Sequence, residues 1–211
     1  MGTSRRGIPE AGAETPTRTV RAVYGECSVT VYQAYPQEIA ARAVRAGTFV
    51  APFKVERMTW IKPSFLWMMY RSGWATKPNQ EHVLAVEITR GGFEWALAHS
   101  ALSHFDRAVH PDADAWRREI SESPVRIQWD PERSLSLAQL PIRAIQIGLS
   151  GEAVERYVRD WIVSITDVTE LAHSIHSDVR HGLTDEATRK LPAERHYPLP
   201  EHIRQRVGAD G

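Results

Sequence analysis

The segment from Arg57 to Trp74 constrains the fold more than any other part of the sequence. Its first residues are strand-like, and after Pro63 it continues with six consecutive large apolar residues, from Phe65 to Tyr70. Proline suits the first turn of a helix, and Gly73 suits its end. A helix that is apolar on every side is buried on every side. The segment therefore predicts a strand followed by an interior helix.

An earlier segment follows the same plan. Residues Ser28 to Gln33 alternate β-branched and aromatic side chains with small or polar ones, as a strand does. Pro36 then marks the start of a helix, and Gly47 marks its end. We interpret the two segments as two copies of one strand-to-helix unit.

Three later segments have the pattern of strands: His82 to Thr89, Val125 to Trp129 and Arg143 to Leu149. In the last, Ile145, Ile147 and Leu149 face one way, and this strand is expected to be central in a sheet. Asp130 to Arg133 is predicted to be a turn in which Pro131 ends the second of these strands.

Helical periodicity dominates elsewhere in the second half of the chain. The pair Gly91-Gly92 is expected to break the strand before it, and Phe93 to about Leu102 then predicts a helix. Long amphipathic helices are predicted from Val154 to Ile165 and from Val168 to Val179. Because strands and helices mix without strict βαβ alternation, we expect an α+β fold.

Length and composition predict one domain with polar ends. The 211 residues fit a single α+β domain over 20–189. Residues 1–19 contain almost no large apolar side chains and are expected to form a disordered leader. Residues 190–211 are polar and proline-bearing, and a surface or frayed tail is expected there.

Charge and cysteine content narrow the class of protein. Lys plus Arg and Asp plus Glu number 26 each, so no overall field attracts nucleic acid or an anionic membrane. The single cysteine, Cys27, excludes an internal disulfide. No apolar stretch has the length to span a bilayer. We expect a cytoplasmic protein with no membrane partner, and the sequence leaves its oligomeric state open.

Cations lie among the aromatic residues of the central segment. Arg57, Lys62 and Arg71 would bind an anion strongly in a site that excludes water. Ser64 lies where helix amide groups point outward, which also attracts phosphate. Trp60 and Trp67 offer ring faces for stacking. The alternative is that the three cations only pair with carboxylates at a rim.

Two further polar residues are candidates for chemistry. Asp130 follows a predicted strand, where catalytic groups often lie, although Asp-Pro also starts ordinary turns. Gln146 is the polar residue of an apolar strand, and it is either a satisfied buried amide or a group that projects into a cleft. No metal is expected, because His173 and His176 have no third ligand at a matching spacing.

Four motifs carry a resemblance to a known family. They are Tyr32 to Tyr35, Arg57 to Trp74, Gln128 to Arg133, and Gln146 to Leu149. Together they resemble a family of bacterial and fungal proteins that is catalogued as domain of unknown function 4291. The resemblance extends over about Val20 to Thr169, and it implies kinship without implying an activity.

The order of these elements is also similar to the ADP-ribosyltransferase-like fold. That resemblance implies a split, mostly antiparallel sheet flanked by helices, which binds NAD in its cleft. It implies one key residue on each of three strands: Tyr32 or Gln33, then Lys62 or Ser64, then Gln146. The family's usual last residue is glutamate, and a glutamine at this position cannot act as a base.

The expected function is that of a nucleotide-binding enzyme, an NAD-dependent group transferase with an unknown acceptor, for which nucleic acid is one candidate. The catalytic candidates are Gln146, Asp130 and Lys62, and the expected NAD-binding residues are Tyr32, Gln33, Arg57, Trp60, Lys62, Ser64, Trp67 and Arg71. The alternative is a non-catalytic module that binds nucleic acid or nucleotide through Arg57 to Trp74. A nucleotidyltransferase with a covalent lysine ranks third, because the usual Lys-x-Asp-Gly motif is absent.

Overall fold

The computed structural model describes residues 18–210, so most of the expected leader at 1–19 lies outside the described residues. The strands are β1 (Arg21–Ala22), β2 (Ser28–Tyr35), β3 (Thr59–Ile61), β4 (His82–Thr89), β5 (Ser100–Leu102), β6 (Val125–Arg133), β7 (Gln139–Leu149), β8 (Ile162–Asp167) and β9 (Arg195–His196). The helices are α1 (Gln37–Ala46), α2 (Phe65–Ser72), α3 (Arg90–Ala98), α4 (Ala113–Glu122), α5 (Glu152–Arg156), α6 (Thr169–Arg180), α7 (Thr184–Lys190) and α8 (Glu201–Val207), and a π-helical turn spans Tyr157–Trp161.

The strands form three sheets. One sheet has the order β2-β4-β8, a second has the order β3-β7-β6-β5, and β1 pairs with β9. Every pair is antiparallel except β5 with β6. The fold is therefore α+β with mostly antiparallel sheets, as expected. Strand β7 is an interior strand, which confirms the prediction from its apolar pattern.

The two strand-to-helix units are confirmed. Gly47 (φ 70°) and Gly73 (φ 61°) both adopt the left-handed conformation that ends a helix. Ser64 caps α2 by accepting a hydrogen bond from the Trp67 amide at 3.2 Å. The expectation that α2 is buried on every side is wrong, since Tyr70 is 41% exposed, Arg71 is also exposed and Leu66 is only partly buried.

Strand β4 ends at Thr89, directly before the segment that contains the glycine pair, as predicted. The pair itself begins a helix rather than a loop. Gly91 and Gly92 lie inside α3, whose first turn is capped by Thr89, because the Thr89 Oγ1 accepts from the Gly92 amide at 3.1 Å. A Cβ atom at Gly92 would lie 2.3 Å from Cγ of Trp161, so close packing explains this glycine. The predicted continuation of the helix to Leu102 is also wrong, since Ser100–Leu102 is strand β5.

Two further boundaries differ from the prediction. Helix α5 ends at Arg156, and β-branched residues after the π-helical turn form β8 at the edge of β4, with Ile165 opposite Val86. Strand β6 continues through Pro131 to Arg133, and its register shifts there. Proline is tolerated in a strand at such an irregularity.

Residues after 190 are packed into the core where a surface tail was expected. Strand β9 pairs with β1, and Tyr197 is fully buried beside it. Ile203 and Val207 of α8 are 2% and 0% exposed. No helix within residues 18–210 has both the length and the apolar character needed to cross a bilayer.

Candidate functional site

The two larger sheets meet at an isolated antiparallel bridge between Tyr32 of β2 and Lys62, which directly follows β3. Beyond this bridge β2 and β3 diverge, and a cleft of about 430 Å³ lies between them. We call it the split cleft. Its lining includes Gln33, Thr59, Trp60, Lys62, Arg57 and Arg71. The volume falls within the range of ligand pockets.

Gln33 spans the base of the split cleft. Its amide nitrogen donates to Oγ1 of Thr59 at 2.7 Å, to the phenol of Tyr35 at 2.9 Å and to the carbonyl of Trp60 at 3.3 Å. Its amide oxygen accepts from the buried hydroxyl of Tyr157 at 2.7 Å. Gln33 is 1% exposed. The bonds to Thr59 and Trp60 connect β2 to β3 where the two strands diverge.

Lys62 places a buried amine in the wall of the cleft. The residue is 5% exposed, and its Nζ donates to the carbonyl of Trp60 at 3.3 Å and lies 5.4 Å from the Trp67 ring centroid. Burial, with a smaller contribution from the charge of Arg71, lowers the lysine pKa to about 7, while Asp130 opposes this shift. Near neutral pH both the amine and the ammonium forms are populated, as proton transfer requires.

Asp130 and Gln146 form a polar cluster on the same sheet. Gln128 lies opposite Gln146 in the β6–β7 pairing, and the Ile61–Ile147 pair places Lys62 one residue beyond the last paired position, next to Gln146. Both glutamines donate to the carboxylate of Asp130, Gln128 at 3.2 Å and Gln146 to the second oxygen. The carboxylate is thereby held in a fixed orientation.

Trp60 lies on the same face of the sheet as Lys62, because residues two apart in a strand share a face. Trp60 is paired with Gly148, and a Cβ atom at Gly148 would lie 2.9 Å from Cζ2 of the indole. Only glycine therefore leaves room for the ring at this position. Trp60 is partly exposed, so part of the indole is available to a ligand.

Arg57 and Arg71 are exposed side chains at the rim of the split cleft. Neither forms an ion pair with another residue in the range 18–210, in contrast to the alternative in which they only pair with carboxylates. Their guanidinium groups are therefore available to an anion.

Three of the predicted ligand residues have packing roles instead. Ser64 is 2% exposed, caps α2 and donates to Glu132 at 2.8 Å. Tyr32 is 3% exposed, and its ring packs edge-on against Phe65 at 5.4 Å, where burial raises its pKa. Trp67 is 5% exposed, and its ring packs beside the amine of Lys62.

Sequence reasoning did not single out Tyr35, Thr59 or Gln128 individually. The first two complete the hydrogen-bond network of Gln33, and Tyr35 and Thr59 also contact each other at 3.0 Å. Gln128 shares a face with Asp130 because β6 continues to Arg133, and the sequence, which predicted a turn from Asp130, did not indicate this.

Metal ligands do not cluster in the described part of the chain. Within residues 18–210 no three His, Cys, Asp or Glu side chains lie close enough to hold an ion. His176, one of the histidines considered in the sequence, stacks on Trp74 with ring centroids 5.2 Å apart.

Fold and site together define an α+β protein in which two mostly antiparallel sheets diverge around a cleft, with a buried lysine in its wall and exposed arginines at its rim. The chain belongs to the family described as Domain of unknown function (DUF4291), whose model matches residues 19–197. This confirms the first resemblance found in the sequence. A comparison with curated proteins gave no match.

Proposed function

We propose that the split cleft binds NAD and that the protein transfers ADP-ribose from it to an acceptor. One observation carries the proposal. Tyr32, Lys62 and Gln146, the positions suggested by the resemblance to ADP-ribosyltransferase-like proteins, lie side by side on three neighbouring chain segments, through the Tyr32–Lys62 bridge and the register of β3 with β7.

The chemistry of the cleft fits an anionic dinucleotide. Arg57 and Arg71 are placed to bind the two phosphates by charge-assisted hydrogen bonds. Trp60 offers its partly exposed indole to an aromatic ring. The volume of about 430 Å³ accommodates part of the dinucleotide, and the remainder extends over the arginine rim.

NAD supplies a glycosidic bond whose cleavage releases nicotinamide and makes the ribose carbon electrophilic. Gln146 and Asp130 orient the ribose hydroxyls, and the Asp130 carboxylate, fixed by two amides, stabilises positive charge beside it. Gln146 cannot take a proton. The neutral amine of Lys62, which is populated near neutral pH, takes the proton that the acceptor group loses when it attacks the ribose carbon.

The alternative is a non-catalytic module that binds nucleic acid or nucleotide with the same surface. The exposed side chains of Arg57, Met58, Tyr70 and Arg71 favour it, since cations beside apolar and aromatic groups bind single strands. Nucleic acid is also a candidate acceptor for the transferase.

Release of nicotinamide from NAD separates the two functions. We expect the wild-type protein to release nicotinamide and Lys62→Met and Gln146→Ala to lose most of that release, while Arg189→Ala, an exposed cation on α7, serves as the matched control. Tight RNA binding that falls steeply with salt, without nicotinamide release, would support the module instead.

A further inference from the structure

A second cavity of about 250 Å³ lies at the N-terminal end of α2, outside the split cleft. Two carboxylates, two arginines and several apolar groups line it. They include Arg21, Phe65, Glu132, Arg133, Leu191 and Glu194. We call it the carboxylate pocket. Neither carboxylate has a role in the reaction proposed above.

Each of the two carboxylates accepts hydrogen bonds through only one of its oxygens. One oxygen of Glu132 accepts from Ser64 Oγ and from the Arg133 amide, each at 2.8 Å. One oxygen of Glu194 accepts from the Phe65 amide at 2.6 Å. Among the residues from 18 to 210, the second oxygen of each accepts no hydrogen bond, and no basic nitrogen lies within 4.0 Å of either carboxylate. Glu132 is 7% exposed, and a buried carboxylate in this state is costly.

The arginines of the pocket offset these charges only in part, and neither arginine forms an ion pair with either carboxylate within residues 18–210. The Arg133 guanidinium lies 3.5 Å from the ring centroid of Tyr70 and donates to the carbonyl of Leu137 at 3.4 Å; its buried Nε has no hydrogen-bond partner among residues 18–210. Arg21 donates to the main-chain oxygen of Glu194 at 3.0 Å. In agreement, burial raises the pKa of Glu132, and burial together with the charge of Glu132 raises that of Glu194 to about 8.

We propose that the carboxylate pocket binds an arginine side chain of a ligand. A guanidinium group satisfies two carboxylates at once, because its donors point in two directions in one plane. Phe65 and Leu191 contact the aliphatic stem of the arginine. This site is independent of the NAD reaction proposed for the split cleft.

The test is calorimetric titration of the full-length protein with N-acetyl-arginine amide. We expect saturable binding, and no binding of N-acetyl-citrulline amide, which has nearly the same shape without the charge. Because the pKa of Glu194 is about 8, binding at neutral pH also releases protons, which buffers of different ionisation enthalpy reveal.

Isosteric variants test the carboxylates themselves. Glu132→Gln and Glu194→Gln retain the oxygen that accepts the existing hydrogen bonds, so both should fold, and each weakens binding by about tenfold or more. Glu155→Gln, an exposed glutamate on α5, is the matched control. If the citrulline compound binds as well as the arginine compound, or if both variants bind as wild type, the proposal is wrong. Loss of nicotinamide release is not expected in either variant, which separates this result from the proposed reaction.

Discussion

The backbones of Tyr32 and Lys62 join the two larger sheets. The Tyr32 amide donates to the Lys62 carbonyl at 2.7 Å, and the Lys62 amide donates to the Tyr32 carbonyl at 3.3 Å. The lysine is thereby fixed where the strands diverge, and its amine is buried in the cleft wall rather than extended into water. Because the amine is buried, its charge affects the stability of the fold as well as the chemistry of the cleft.

Lys62→Met should stabilise the protein near neutral pH. The pKa of Lys62 is about 7 in the folded protein and 10.5 as an ordinary lysine, so between these values the unfolded chain binds more protons. The lysine's contribution to stability is therefore present above pH 10.5 and is lost as the pH falls towards 7. We expect the free energy of unfolding of the variant to be higher than that of the wild type at pH 7 by on the order of 4 kcal/mol. This difference should decrease as the pH rises towards 10.5. Urea denaturation across this window measures it, and equal stabilities at pH 7 would contradict the burial of the charged amine.

Glu194→Gln should change stability with the opposite dependence on pH. The pKa is raised from 4.5 to about 8, so the contribution of the protonated carboxyl is full below pH 4.5 and is lost as the pH rises through 8. The variant should therefore match the wild type in acid and have a free energy of unfolding higher than the wild type's above pH 8 by on the order of 4 kcal/mol. Denaturation curves of both proteins and of the Glu155→Gln control check this; parallel pH profiles for Glu194→Gln and wild type would refute it.

The adjacent glycines of α3 should respond in opposite directions to alanine. In Gly92→Ala the new Cβ overlaps Trp161, so we expect a loss of roughly 2 kcal/mol or more. In Gly91→Ala nothing lies within 4 Å of the new Cβ, so the better helix propensity should stabilise the protein by about 0.5–1 kcal/mol. Thermal denaturation of the pair provides its own control. Similar melting temperatures would show that Trp161 does not pack on Gly92.

Gln33→Leu should destabilise the protein by leaving a buried hydroxyl without its acceptor. Tyr157 is fully buried, and its hydroxyl donates to Gln33 at 2.7 Å. We expect a loss of about 2–3 kcal/mol. Adding Tyr157→Phe removes the orphaned group, so the double variant should recover part of that loss in a double-mutant cycle. Strict additivity would mean that the two residues do not interact.

Local signals sufficed for the part of the fold that builds the split cleft. Proline and glycine bracket α1 and α2, and residue alternation marks β2 and β7, so these elements follow from short stretches of sequence. Strand β8 did not, because the three-residue spacing of Ile162 and Ile165 is that of a helix, and it is compatible with a strand only through the register shift between β4 and β8. The segment forms a strand because it pairs with the free edge of β4.

Long-range pairing accounts for the rest. Tyr197 lies among prolines and charged residues, and no local pattern indicates that β9 pairs with β1 near the other end of the chain. The same applies to the carboxylate pocket, since Glu132 and Glu194 come together only in the folded structure. Asp130 and Gln146 could be chosen as single polar residues, but only the register of β6 with β7 brings them into contact.

The most direct test of the central claim is a calorimetric titration of NAD into the wild-type protein, Arg57→Ala, Arg71→Ala and the Arg189→Ala control. We predict saturable binding to wild type and control, and about tenfold weaker binding to each of the two rim variants, because each loses a charge-assisted hydrogen bond to phosphate. No binding of NAD to the folded wild-type protein, or equal affinities for all four proteins, would contradict the assignment of the split cleft as an NAD site.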